Sequence, residues 1–132
     1  MPVYRCTTPA GTLFLDQRHQ LAKAFTDVHC NTTGAPRKFV QVMFFETAQG
    51  EDSEYETPYF VDGGNRAGRS EETKQTIMAG LTQALSEIGN IPNESIGARI
   101  SEGPASWTME GGHILPEPGE EGEEWYAEAE RV

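Results

Sequence analysis

The stretch PYFVDGGNRAGRSEETKQTIMAGLTQALSEIGNIPNESIGARIS, residues 58–101, carries the pattern on which the fold turns. It opens with Pro58–Asp62, whose aromatic and β-branched side chains suit a pleated strand. Gly63 to Ser70 reads as a glycine-rich turn. Ser70 is a good N-cap, and Glu71 and Glu72 complement the positive end of a helix. From Glu71 to Ile88, the apolar residues Ile77, Leu81, Leu85 and Ile88 fall at i, i+4, i+8 and i+11. That is the stripe of an amphipathic helix. Gly89-Asn90-Ile91-Pro92 stops it, and Ser95–Ser101 is a further strand. Strand, helix and strand in this order predict a β-α-β unit with a right-handed crossover.

The chain ahead of this stretch repeats the order. Pro2–Thr8 alternates, with Val3 and Arg5 on one side and Tyr4 and Cys6 on the other, and predicts a short strand. Pro9 to Thr12 is a turn. Asp16–His29 is helical, with Leu21, Phe25 and Val28 at i, i+4 and i+7. Asn31 to Pro36 ends that helix, with Gly34 and Pro36 as stop signals. Phe39–Glu46, FVQVMFFE, is apolar on both faces and predicts a buried strand. Gln49–Thr57 is a polar, acidic loop. Two β-α-β halves, about 2–47 and 57–102, thus follow each other in one domain spanning 1–120. The expected fold class is α/β (α+β): tandem β-α-β units forming a four-stranded sheet with two helices on one face. The other face is apolar and uncovered, so oligomerisation is expected. Residues 103–116 are rich in Gly and Pro and carry Trp107, Met109 and Leu115. Residues 121–132 form an acidic tail, expected to be loosely ordered, although Trp125 and Tyr126 suggest that it docks.

The chain has 132 residues, enough for one core, and its hydrophobic content of 36% is lean for a self-sufficient monomer. Its net charge is −11, and residues 117–132 alone hold seven Glu against one Arg. Acidity on this scale excludes nucleic acid and anionic membrane surfaces as expected partners. It does not exclude a small anion, because clustered Arg can reverse the field inside a pocket. No apolar run approaches membrane-spanning length, and the N-terminus lacks the pattern of a secretory signal. A cytoplasmic location is expected. Cys6 and Cys30 read as reduced thiols, with a disulfide left open. Scattered His and Cys give no metal signature.

A Pro directly after the initiator Met, opening a strand in a small β-α-β protein, is a hallmark of the tautomerase superfamily. Three segments sharpen the likeness: Phe25-Thr26-Asp27-Val28-His29 with Thr33-Gly34; Asn65-Arg66-Ala67-Gly68-Arg69-Ser70; and Pro104-Ala105, Met109-Glu110-Gly111 and Leu115-Pro116-Glu117-Pro118-Gly119. In order and spacing they resemble the cis-3-chloroacrylic acid dehalogenase branch, over roughly residues 2 to 122. The resemblance implies a tautomerase (MIF-like) fold, a homotrimer, no cofactor, and one pocket per subunit with the amino-terminal proline at its base. Matched by position, it carries over Pro2, His29, Arg66, Arg69 and Glu110. Where the dehalogenase has a water-activating tyrosine, this sequence has Arg99.

The chemistry of these residue types is coherent. A free Pro2, exposed if Met1 is removed, is a secondary amine, and α-amino groups titrate at about 7.7–8.0 unperturbed. It suits acid or base work near neutral pH. Arg66 and Arg69, three residues apart at a glycine-rich turn, can converge on one carboxylate through their planar forks. The resemblance makes His29 a donor to substrate oxygen and Glu110 the acid that orients water. Tyr4 and Asn65 are candidate pocket linings; His19 is not. Arg99 either faces solvent or adds a cation to the pocket, which would stabilise enolates but make Glu110 a poorer base. The expected function is proton transfer on an enolic or unsaturated small carboxylic acid, by keto–enol tautomerisation with weak hydratase or dehalogenase activity. The alternatives are an efficient cis-3-chloroacrylate dehalogenase and a non-catalytic anion-binding trimer.

Overall fold

The structure is a computed structural model that describes residues 2–130. Met1, and with it the expectation of its removal, lies outside the described residues. Strand β1 (Val3–Pro9) leads to helix α1 (Leu15–Thr33) and strand β2 (Gln41–Thr47). Strand β3 (Tyr59–Arg66), helix α2 (Glu71–Gly89) and strand β4 (Ile96–Gly103) repeat the plan. A hairpin of β5 (Met109–Glu110) and β6 (His113–Ile114) follows, then helix α3 (Glu123–Glu130). The sheet order is β2-β1-β3-β4. Each half contributes a parallel pair, and β1 runs antiparallel to β3 to join them. The expected α+β architecture is present: a four-stranded mixed sheet with its two long helices on one face.

Alternation along the strands decides what each face meets. Tyr4, Cys6 and Val61 point to the helices and are fully buried. They pack with Leu21 and Phe25 of α1 and with Ile77, Leu81 and Leu85 of α2. Each such side chain contributes roughly 1.5–3 kcal/mol by leaving water. The helices touch closely at Gly80, where a Cβ would lie 2.8 Å from Val28 Cγ1. Val28 thus belongs to the helix–helix seam rather than to the buried stripe. Ser70 caps α2 as expected, its hydroxyl accepting from the Thr73 N–H at 3.1 Å.

Four expectations need correction. Gly63 and Gly64 are strand, not turn, because β3 runs on to Arg66. Glycine is required there by packing: a Cβ on Gly63 would sit 2.5 Å from Tyr4 Cε1. Helix α1 extends a turn beyond His29 to Thr33, and Gly34 ends it in the left-handed conformation at φ 75°. Strand β2 is an edge strand and is not buried on both faces. Its Val42 and Phe44 pack on the core, but Met43 and Phe45 remain 45% and 43% exposed on the open face. Finally, the tail expected to be loosely ordered carries helix α3, and it docks through Trp125 as expected, on Phe39 at 5.1 Å. Both thiols are free, Cys6 buried and Cys30 partly so. Among the described residues no helix is long and apolar enough to cross a membrane.

Candidate active site

Helix α1 positions the first site residue by simple periodicity. Leu21, Phe25 and His29 lie at i, i+4 and i+8 and are all fully buried. His29 is therefore a core position filled by a polar ring. On the helix-covered face of the sheet, the Tyr4 hydroxyl lies 2.6 Å from His29 Nδ1. Burial pushes the Tyr4 phenol up to about 12, so it keeps its proton. Burial, followed by the charge of Arg69, pulls His29 down to about 3, so its ring is neutral. Tyr4 O–H must then donate to Nδ1, which leaves the ring proton on Nε2. That Nε2 is buried and has no hydrogen-bond partner among the described residues. An unsatisfied buried donor costs roughly 1–3 kcal/mol, which a bound oxygen would recover.

The hydrogen-bond chain continues into the carboxyl end of β3. Asn65 Nδ2 donates to the Tyr4 hydroxyl at 3.5 Å, and Arg69 Nη1 donates to Asn65 Oδ1 at 3.3 Å. Burial and the neighbouring Arg66 make the proton of Arg69 less tightly held than usual, as expected for paired cations. Pro2, His29, Asn65, Arg66 and Arg69 line one small cavity, closed on the far side by Ala35, Phe39 and Trp125. Its volume is only about 10 Å³, room for about one water molecule. Pro2 is buried, and its carbonyl accepts from the Gln41 N–H at 3.0 Å.

Arg66 is already occupied. Its Nη1 donates to the Pro116 carbonyl at 2.6 Å and its Nη2 to Glu121 at 2.9 Å. The Trp125 ring lies over the guanidinium at 5.6 Å. Burial pushes the Glu121 carboxyl up, but hydrogen bonds from backbone N–H groups and from Arg66 outweigh it and hold it below the usual range. Phe39 and Glu121 were not among the residues singled out by sequence, and Trp125 was named there only as a residue by which the acidic tail docks.

Two expected site residues are not brought to this cavity. Arg99 points to the open face of the sheet, where it pairs with Asp62 at 3.1 Å and lies over the rings of Tyr55 and Phe60. Its side chain is 53% exposed, the solvent-facing alternative of the sequence reading. Burial raises the Asp62 carboxyl, but Arg99 and Ser101 outweigh it and keep it ionised. Glu110 sits on the β5–β6 hairpin and does not line the cavity. Among the described residues no cluster of His, Cys, Asp and Glu is suited to a metal. What remains is a pair of guanidinium groups with a neutral imidazole donor, lining one cavity with Pro2. Such an array can bind an acid and stabilise negative charge developing on oxygen.

Comparisons with known proteins bear on the family and the fold. Residues 1–131 match the family described as "Putative oxalocrotonate tautomerase enzyme". The solved structure of native Ps01740 is 32% identical, with a TM-score of 0.76, over 82% of this chain and 99% of that one. N1, described as a member of the cis-3-chloroacrylic acid dehalogenase family, is 27% identical with a TM-score of 0.80, over 95% of this chain and 90% of that one. Native fused 4-OT, at 21% identity and a TM-score of 0.73 over 85% and 94% of the two chains, shares the fold. No curated protein matches the sequence. By its family match, its fold and these relatives, the chain belongs to the tautomerase superfamily, on its cis-3-chloroacrylic acid dehalogenase-like branch.

Proposed function

We propose that the chain is a keto–enol tautomerase for a small enolic or unsaturated carboxylic acid, with the Pro2 amine as the proton carrier. The observation that carries this reading is the buried, partner-less Nε2 of His29 in one cavity with Pro2, Arg66 and Arg69. In the reaction, Arg66 and Arg69 hold the substrate carboxylate. The neutral His29 N–H donates to the enol or carbonyl oxygen. The amine takes the enol proton and returns a proton to carbon, and adjacent cations favour the neutral, basic amine. Met1 must be absent for this, because an acylated Pro2 nitrogen has no basic lone pair.

Hydration is the second reading. Glu110 would have to activate water, yet it does not line the cavity, which favours tautomerisation. Arg99 in place of the dehalogenase tyrosine argues the same way. A homotrimer is part of the proposal: fused 4-OT structures are described as trimers, and Met43 and Phe45 leave an apolar open face to cover. Two free thiols suit a cytoplasmic location.

The test is ketonisation of phenylenolpyruvate, followed by ultraviolet absorbance, on protein whose intact mass shows Met1 removed. Pro2→Ala should lower turnover about 100-fold or more. Unchanged turnover in that variant would overturn the proline mechanism. Chloride release from cis-3-chloroacrylate should be slow, and rapid release would favour the dehalogenase reading.

A further inference from the structure

The cavity that the proposed reaction needs is shut by the chain's own C-terminal segment. At about 10 Å³ it admits no carboxylic acid, only about one water. One guanidinium of its lining is already paired with a carboxylate of that segment. Glu121 takes Nη2 of Arg66 at 2.9 Å, and the two side chains are only 11% and 5% exposed. The second Glu121 oxygen accepts from the Gly119 N–H at 2.8 Å, which orients the carboxylate. Trp125 then lies over the same guanidinium and against Phe39, both rings forming one wall of the cavity. Arg69 has no such carboxylate among its hydrogen-bond partners and donates to Asn65.

We propose that residues 121–125 are a built-in competitor of the substrate: Glu121 occupies one arm of the carboxylate clamp and Trp125 covers it, until an incoming acid displaces both. This rests on the tautomerase reading of the same site. The segment is hinged for that purpose. It runs on from Leu115, which is buried, and Pro116, whose carbonyl accepts from Arg66, and then passes Gly119, at φ 89°, and Gly122, which has open space around it. A closed population lowers apparent affinity by the fraction of molecules that are open, so the strap sets a threshold. Acids that cannot match the Glu121–Arg66 pair stay out. Acids that engage Arg66 and Arg69 together gain a second charged contact and enter.

The experiment is calorimetric titration of maleate, a non-enolisable diacid, into the full chain and its Glu121→Gln and Trp125→Ala variants. Glutamine keeps the size of the side chain and removes the charge that competes for Arg66. Maleate should bind about tenfold more tightly to Glu121→Gln, since a charge-assisted contact becomes a neutral one. Trp125→Ala should move the affinity in the same direction. Equal or weaker binding in both variants, or no binding by any form, overturns the proposal. A second readout uses Trp107→Phe, a change at an 82% exposed residue that leaves Trp125 as the fluorescent reporter. Saturating maleate should make Trp125 more accessible to acrylamide, and unchanged quenching overturns the proposal. Tighter maleate binding without phenylenolpyruvate turnover would sink the tautomerase reading and leave the strap standing. Turnover with the same KM in Glu121→Gln would do the reverse.

Discussion

Acid should destabilise this protein through a buried histidine. His29 is fully buried, and its ring is pulled down to about 3 from an ordinary 6.5. Between those two values only the unfolded chain takes up the proton. Stability from the neutral ring is therefore complete above about pH 6.5 and drains away as pH falls towards 3. Each pH unit in that window is worth about 1.4 kcal/mol, so the loss at pH 4 is about 3 kcal/mol. That is a large share of the roughly 5–15 kcal/mol typical of a domain. The assay is urea unfolding at pH 7 and pH 4, at one protein concentration, for the parent and for His29→Gln. Glutamine retains hydrogen-bonding capacity and does not titrate. The stability gap between the two proteins should shift by about 3 kcal/mol in favour of the variant at pH 4. Asp62 and Glu121, both held low by partners, also lose stability as pH falls, but they do so in both proteins. Parallel pH profiles would refute the reasoning. So would an NMR titration of the His29 ring with a midpoint near 6.5, where no change between pH 4 and 8 is expected.

Two further outcomes follow from the same packing. Tyr4→Phe removes the donor to His29 Nδ1 and should cost about 1–3 kcal/mol in urea unfolding at pH 7. Gly63→Ala would set a Cβ 2.5 Å from Tyr4 Cε1 and should cost about 1–3 kcal/mol; an unchanged melting temperature would show that the ring yields freely.

Much of the site was legible because it is local. Asn65, Arg66 and Arg69 lie within five residues at the strand-to-helix junction, so their convergence follows from chain geometry. The His29 position was legible too, had the helix stripe been read from Leu21 and Phe25 at steps of four rather than ended at Val28. The length of β3 was not legible. Gly63 and Gly64 spell a turn in isolation, and only the Tyr4 ring of the neighbouring strand explains why glycine stands at position 63. Arg99 was undecided for the same reason, since a strand residue points to one face or the other and its Asp62 partner lies on a different strand.

By itself the sequence determined the element order, the paired β-α-β plan and the placing of Arg66 and Arg69 at one strand-to-helix turn. These are set by periodicity, capping and short-range spacing, which act within a few turns of chain. Tertiary structure alone decided that Tyr4 fixes the His29 tautomer and that Glu121 and Trp125 engage Arg66. Those contacts join residues 25 to 59 positions apart, and no local preference records a partner at that distance. Burial then gives them their chemistry, because it is the loss of water around His29, Tyr4 and Arg66 that sets which protons stay and which charges must pair.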